Sequence, residues 1–175
     1  MTEVLDQAKL DAFCRRLNCE LCDDGPFAEM SMSLEGYREK TEPIAGITYG
    51  FYDGPVDVLQ AVVDQVDQTW VQYFNGKTRV FCAYLDGAPI SFCIVEGDDK
   101  CPLAVPGVRV GSIGCVGTVP QHRGRKIGLR MVDLATVVLE REGYTKGYIS
   151  YTAIDHWYAK LGYRTYTRFR FRKED

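Results

Sequence analysis

The spacing of apolar positions changes several times along the chain and predicts alternating helices and strands. Apolar residues recur at helical spacing over Leu5 to Leu17, in the segment after Pro55, and most clearly over Gly124 to Glu142. Two earlier runs, Phe27 to Leu34 and Ile47 to Tyr52, have the alternation or the β-rich composition of strands. The first third of the chain therefore predicts a helix, two strands and a second helix.

The middle of the chain predicts a β-hairpin followed by a long strand. The apolar runs Arg79 to Leu85 and Pro89 to Glu96 are joined by Asp86-Gly87, a dipeptide that favours a two-residue turn. Val108 to Val119 is rich in glycine, and its apolar parity changes near Gly111. We therefore expect a bulge or bend near that glycine.

The long helix has one apolar face and one polar face. The apolar face carries Ile127, Met131, Leu134, Ala135 and Val138, and the polar face carries Arg130, Asp133, Thr136 and Glu140. Gly143 is a stop signal. A strand (Tyr148 to Tyr151), a short helix (Ala153 to Lys160) and a final strand (Thr165 to Phe171) are expected after it. This order predicts an α/β fold with a mixed sheet.

Composition and charge narrow the possible functions. The chain has 175 residues and a formal net charge of −3, which favours one domain and disfavours a general nucleic-acid binder. The first residues lack the basic and apolar parts of a secretion signal. No apolar run approaches the ~20 residues of a membrane-spanning helix. These features predict a cytoplasmic protein.

Seven cysteines are many for a chain of this length. Cys14, Cys19 and Cys22 have the spacing C-x4-C-x2-C, which one class of iron–sulfur protein also uses. The chain has only two histidines and offers no obvious fourth ligand. We therefore expect small buried thiols and no metal site.

One segment joins a strand, a basic turn with glycines, and the start of a helix. It reads Val116-Gly117-Thr118-Val119-Pro120-Gln121-His122-Arg123-Gly124-Arg125-Lys126-Ile127-Gly128. The unpaired N–H groups and the dipole at a helix N-terminus attract anions, and three cationic side chains add to this field. The segment matches neither the Walker A pattern nor G-x-G-x-x-G. It is a candidate phosphate site, and a solvated basic turn without a ligand is the alternative.

This segment resembles a motif of the GNAT superfamily, the acyl-CoA-dependent N-acetyltransferases. In that family a strand leads through V-x-P-x-x-R-G-x-G-x-G into a long helix, and a tyrosine lies before a K-x-G-F-like end. The second signature appears here as Trp157-Tyr158-Ala159-Lys160-Leu161-Gly162-Tyr163. The resemblance spans about Ile47 to Arg172. Two departures are Lys126 in place of a usual glycine and room for little more than one strand after the last helix. The positions that match the first motif are Thr118, Pro120, Arg123, Gly124 and Gly128.

The resemblance implies a mixed, mostly antiparallel sheet flanked by helices, with central strands that splay apart. The domain would occupy residues 46–175. Residues 1–45 would form an extension that packs on it and supplies a missing strand or a lid. Acetyl-CoA would be the co-substrate, and no metal is implied. Its contacts would involve Val116, Gly117, Thr118, Arg123, Gly124, Arg125, Lys126, Ile127 and Gly128.

The resemblance also implies a reaction without a covalent enzyme intermediate. An N–H near Val116 would polarise the thioester carbonyl. Tyr158 matches the residue that protonates the departing thiolate in many relatives; a tyrosine that only packs its helix is the alternative. We expect Cys115 to be a core thiol rather than a nucleophile. The general base is left open among Glu96, Asp155, His156 and Tyr151.

The sequence therefore predicts an N-acetyltransferase whose acceptor is a small-molecule or peptide amine. Candidate acceptor contacts are Trp70, Tyr73, Glu96 and Tyr151. We expect neither a nucleic acid nor a membrane as partner, and a homodimer is left open. One alternative is a non-catalytic acyl-CoA-binding module on the same fold. The other is a redox or metal protein that uses Cys14, Cys19 and Cys22.

Overall fold

The computed structural model describes residues 2–173. Apart from a short strand at Cys19–Leu21, which the sequence analysis did not predict, the helices and strands follow the predicted order. The helices in that range are α1 (Gln7–Leu17), α2 (Val56–Asp64), α3 (Ile127–Arg141) and α4 (Asp155–Ala159), with 3₁₀ turns at Gln68–Tyr73 and Pro120–His122. The strands are β1 (Cys19–Leu21), β2 (Phe27–Ser33), β3 (Ile47–Phe51), β4 (Val80–Leu85), β5 (Ala88–Gly97), β6 (Val110–Thr118), β7 (Lys146–Thr152) and β8 (Arg164–Phe171).

These strands pair into a mixed, mostly antiparallel sheet with helices beside it, so the predicted fold class is confirmed. The splay of the central strands and the domain boundary near residue 45 stay predictions. None of the helices within residues 2–173 has the length and apolar character needed to cross a membrane.

The chain divides into two compact units, which we describe separately. The first unit combines Met1–Gly36, Gly97–Ser112 and Leu139–Asp175, and the second combines Tyr37–Glu96 and Ile113–Val138. Strand β6 and helix α3 therefore contribute residues to both units.

In the first unit the strand order is β1-β8-β2-β7-β6. Strand β2 is antiparallel to both β7 and β8, and β6 is parallel to β7 over Val110–Ser112. Helix α1 begins where the Asp6 side chain accepts a hydrogen bond from the Lys9 amide at 3.1 Å, and its buried Phe13 packs edge-on against Phe169. The N-terminal segment thus supplies a strand, β2, between two C-terminal strands.

In the second unit the order is β6-β5-β4-β3. Asp86 and Gly87 both have positive φ, +50° and +80°, which is the conformation of the predicted two-residue hairpin turn. Helix α2 buries Leu59 and Val63 in a core that also contains Phe92.

The polar face of α3 is covered by another segment of the chain. Arg130, Asp133 and Thr136 are 8%, 0% and 0% exposed, so this face is buried rather than open to solvent. The segment Tyr37–Thr41 binds to it through hydrogen bonds to Asp133. The helix also begins at Ile127, three residues later than predicted, because the preceding glycine-containing turn is not helical.

The backbone irregularity predicted near Gly111 lies at Cys115. Cys115 has a φ of +47°, in the left-handed region that favours glycine, whereas Gly111 pairs in register with Gly147. The bend therefore falls immediately before the candidate site residues of β6.

Candidate active site

The turn between β6 and α3 presents a group of backbone amides. Gly124 and Lys126 both lie in the left-handed region, with φ of +77° and +62°. Arg130 donates its amide to the carbonyl of Lys126 at 3.1 Å, which is the first bond inside α3. The amides of the helical residues before Arg130 have no carbonyl to bind within the helix. Such a turn at a helix N-terminus is suited to a phosphate.

The three cations of this turn have different surroundings. Arg123 donates from Nε to the carbonyl of Thr118 at 3.0 Å and so joins the turn to the end of β6. The Arg125 guanidinium lies 3.5 Å from His122 Nδ1. Lys126 is exposed and has a positive φ, a conformation that glycine adopts without strain. The lysine at this position therefore adds a charge to a turn with left-handed backbone.

The end of β6 is packed tightly around Gly117. A Cβ at this position would lie 2.6 Å from the Phe92 ring and 2.9 Å from Val66, so a larger residue does not fit without a shift. Buried Ser91 donates from Oγ to the Gly117 carbonyl at 2.8 Å and lies 2.8 Å from Thr118 Oγ1. Sequence reasoning missed Ser91, although a serine within the apolar run of β5 was a usable signal.

Tyr158 lies on α4 in the first unit and is 6% exposed. Its ring packs edge-on against Trp157 at 4.8 Å and against Tyr163 at 6.4 Å. Helix α4 is anchored at its start, because Asp155 accepts a hydrogen bond from Thr165 at 3.2 Å and forms an ion pair with Arg168. Asp155, a candidate base, is thus engaged in holding the helix, whereas His156 is exposed.

Glu29 is a buried carboxyl group that sequence reasoning did not select. It lies on β2 and is 1% exposed. Its carboxylate accepts hydrogen bonds from Ser150 Oγ at 2.9 Å, from the Tyr151 amide at 2.7 Å, and from the Tyr148 hydroxyl. Burial raises the pKa of Glu29 to about 7, although these hydrogen bonds act to lower it. The only sequence signal was a glutamate in a strand whose other residues are small or apolar.

The candidate acceptor contacts fall in both units. In the second unit Trp70 is partly buried and packs on the same core cluster as Cys115, Tyr73 is 50% exposed, and Glu96 is exposed. In the first unit Tyr151 is 48% exposed and has a φ of +52°. Trp70 therefore packs on the core of the second unit, and the other three lie at the surfaces of their units.

The Cys115 environment disfavours a thiolate. Burial, together with the negative charges of Asp67 and Glu96, raises the pKa of Cys115 to about 11. A nucleophilic cysteine needs a lowered pKa, so Cys115 has the character of a core thiol. Asp67 itself accepts hydrogen bonds from the Thr69 amide and hydroxyl at 2.9 and 2.6 Å and begins the 3₁₀ turn after α2.

Cys14, Cys19 and Cys22 do not share one site: Cys14 is adjacent to Cys19, and Cys22 contacts an arginine. Burial raises the pKa of Cys19 to about 11, and the adjacent Cys14 contributes to this increase. Cys22 Sγ accepts a hydrogen bond from Arg170 Nε at 3.0 Å. Among residues 2–173 there is no group of three or more histidine, cysteine, aspartate or glutamate side chains placed to hold a metal ion.

A family model described as an acetyltransferase (GNAT) domain matches residues 76–165, about half of the chain. The matched range includes the hairpin, the turn before α3, and α4. A search of curated proteins gave no significant match.

Solved structures with this fold include proteins from fungi and bacteria. One is a GCN5-related glucosamine N-acetyltransferase region of a fungal multi-domain GH3 β-N-acetylglucosaminidase, with a TM-score of 0.69 and 20% identity over 94% of this chain and 23% of that chain. A GCN5-related N-acetyltransferase from Kribbella flavida has a TM-score of 0.60 and 17% identity over 91% of this chain and 61% of that chain. A protein from Clostridium acetobutylicum described as a predicted acetyltransferase, solved with acetyl-CoA, has a TM-score of 0.51 and 18% identity over 67% of this chain and 90% of that chain.

The present chain spans less than two thirds of the first two of these proteins. At such identities the likeness establishes the fold alone.

Proposed function

Starting from the fact that this chain belongs to the GNAT acetyltransferase family, we propose that it transfers an acetyl group from acetyl-CoA to an amine. The acceptor is an amine on a small molecule or a peptide. The observation that carries the proposal is the turn before α3, where Gly124 and Lys126 with positive φ precede a helix N-terminus. A diphosphate is the ligand that this combination of amides and cations suits.

The cofactor would bind to the second unit through backbone groups. The pyrophosphate would take the amides of Gly124, Arg125, Lys126, Ile127 and Gly128. The Arg123 amide already donates to the Pro120 carbonyl at 3.2 Å, so Arg123 would contribute its charge. The pantetheine arm follows the backbone of Val116, Gly117 and Thr118. The left-handed Cys115 supports this assignment, because it turns the backbone immediately before Val116, whose N–H we assign to the thioester carbonyl.

In the proposed reaction the amine nitrogen attacks the thioester carbon directly. The carbonyl oxygen gains negative charge, which the Val116 N–H stabilises. When the tetrahedral intermediate breaks down, the C–S bond is lost and the Tyr158 hydroxyl gives its proton to the CoA sulfur. A proton leaves the nitrogen to solvent or to a base. The high pKa of Cys115 supports direct attack over an acyl-cysteine route.

Trp70, Tyr73, Glu96 and Tyr151 remain our candidates for acceptor contacts. An aromatic side chain and a carboxylate are suited to an ammonium group and the carbon chain that carries it. Trp70 is partly buried against the apolar core of the second unit, which favours it among them.

Thermal unfolding with acetyl-CoA, free CoA and ATP tests the cofactor site. Binding at 100 times Kd adds about 2.7 kcal/mol, which raises Tm by roughly 5–10 °C for a domain of this size. We expect a shift with acetyl-CoA and CoA but not with ATP. No shift at millimolar acetyl-CoA would contradict the proposal.

Tyr158→Phe then separates an enzyme from a module that only binds acyl-CoA. An enzyme should lose thiol-release rate in a panel of amines while its acetyl-CoA thermal shift is kept. The control is Tyr144→Phe, which removes a hydroxyl from a tyrosine outside the candidate site whose ring contacts Arg109. If no amine supports thiol release by the wild-type protein, catalysis is excluded for that panel and the binding module is favoured.

A further inference from the structure

Both neighbours of strand β2 contain an extra residue opposite Glu29. On one side Ala28 pairs with Thr152 and Met30 pairs with Ile149, so two β7 residues face Glu29. This inserts a bulge into β7 at the level of the Glu29 side chain. Bulges of this kind occur next to active sites, where they redirect a strand.

On the other side, β8 has a matching irregularity. Glu29 pairs with Thr167 and Met30 pairs with Thr165, which leaves Tyr166 as the extra residue. The Glu29 carboxylate therefore lies where the regular ladder is interrupted in both directions. A polar side chain at such a place can replace the backbone acceptor that the ladder lacks.

The carboxylate does replace that acceptor in β7. One oxygen, Oε1, accepts from the Tyr151 amide at 2.7 Å and from the Ser150 hydroxyl at 2.9 Å. These are the two residues of the bulge. Tyr151 has a φ of +52°, a strained conformation for a residue with a side chain, and it persists only when its surroundings hold it. The Glu29 oxygen is the group that binds its amide.

The backbone at Tyr151 determines how the chain enters α4. Immediately after it, Thr152 Oγ1 accepts a hydrogen bond from the Ile154 amide at 3.1 Å, and α4 begins at the next residue. Tyr158 lies on the last turn of this short helix. A change in φ at Tyr151 would therefore alter the direction in which α4 leaves the strand.

We propose that Glu29 is a positioning residue for acetyl transfer, because it holds the β7 bulge at Ser150 and Tyr151 and through it the helix that carries Tyr158. This inference rests on the proposed function. The free-energy cost of burying the Glu29 carboxyl group supports a specific role, because an apolar side chain would fill the same space without that cost.

The kinetic test compares Glu29→Ala and Glu29→Gln, with the exposed Glu35→Gln as matched control. We expect Glu29→Ala to lower kcat about tenfold or more with the KM for acetyl-CoA changed less than about twofold. Glutamine keeps an oxygen for the Tyr151 amide, so Glu29→Gln should recover most of the lost rate.

A second readout does not depend on turnover. Tyrosine labelled with ¹⁵N gives eleven amide signals, and Tyr151→Phe identifies that of Tyr151. This signal should move in Glu29→Ala and stay near its wild-type position in Glu29→Gln. Circular dichroism establishes that each variant is folded.

The outcomes separate the two proposals. Wild-type protein without acetyl-CoA binding or turnover contradicts the proposed function. An active wild type with an unchanged kcat in Glu29→Ala overturns the positioning role alone. An unmoved Tyr151 amide in folded Glu29→Ala also overturns it, whatever the activity.

Discussion

Two buried carboxylates, one in each unit, are used in different ways. Asp133 in the second unit is 0% exposed and accepts four hydrogen bonds from Tyr37, Lys40 and Thr41, at 2.6–2.8 Å. Glu29 in the first unit is 1% exposed and accepts three, from residues of a bulged strand.

The surrounding charges explain the difference. Arg130 lies one helical turn from Asp133, donates to the carbonyl of Thr41 and forms an ion pair with Glu39 at 3.2 Å. The pKa of Glu29 is lowered only slightly by a cation, Arg16, whose charge is the last of the effects that act on it. A carboxylate with many donors and a nearby cation fastens a loop to a helix. One without such a cation holds a strained strand and is ionised only in part near neutral pH.

The largest effect is expected where the carboxylate fastens the loop. Asp133→Ala removes the acceptor of four hydrogen bonds in a dry site and should lower the free energy of unfolding by about 3–5 kcal/mol. Urea denaturation measures this. The matched control is Asp64→Ala on the exposed side of α2, which should change stability by less than about 0.5 kcal/mol. A loss below about 1 kcal/mol for Asp133→Ala would show that water replaces the carboxylate.

The second prediction uses the raised pKa of Glu29. The folded pKa is about 7 and the ordinary value is 4.5, so wild-type stability is full below about pH 4.5 and falls as pH rises through 7. Glu29→Gln does not ionise. Its stability relative to wild type should therefore increase between pH 4.5 and 8, by about 3 kcal/mol for a difference of about 2.5 pKa units. Urea midpoints across this range measure the effect, and parallel curves for the two proteins would contradict it.

A smaller effect is expected at Lys126, which has a positive φ in the turn before α3. Tyr151 is held by Glu29 and packs against Phe27 at 4.8 Å, whereas Lys126 is exposed. Lys126→Gly should relieve strain and stabilise the protein by about 0.5–1 kcal/mol after the entropy of the unfolded glycine is counted. Lys126→Ala keeps a Cβ and should bring no gain. Equal unfolding midpoints for the glycine and alanine variants would show that the turn is unstrained.

The smallest effect is expected at Cys115, which like Tyr151 and Lys126 has a positive φ. With a pKa of about 11 its thiol is neutral at pH 8, so Cys115→Ser should keep turnover within roughly threefold. Intact-mass measurement during turnover should detect no acetylated wild-type enzyme. A trapped acetyl adduct that disappears in Cys115→Ser would replace direct attack with a two-step reaction.

Much of the local structure could be predicted because it depends on neighbouring residues. The helical spacing of Ile127, Met131 and Ala135, the Asp86-Gly87 turn, and the strand-to-helix motif at Arg123 to Gly128 are all contiguous. Their conformations follow from side-chain periods of 2 and 3.6 residues and from the φ values that glycine favours. The candidate cofactor site was found for the same reason.

Prediction from the sequence failed where the hydrogen-bond donors to a buried polar residue lie in a distant segment of the chain. The sequence placed Asp133 on the polar face of the long helix. No local pattern shows that residues near Tyr37 cover that face. Glu29 appeared to be one of the polar residues of an alternating strand, because its bulged partners on β7 lie about 120 residues away. Burial and ionisation depend on such contacts.

The sequence by itself determined the order of most elements, the hairpin, and the basic turn before α3. Only the tertiary structure decided that β2 enters between β7 and β8, that the polar face of α3 is buried, and that Glu29 holds Tyr151. The physical reason is range: local patterns specify backbone conformation within a few residues. Strand pairing and the burial of charge are chosen among all segments of the folded chain at once.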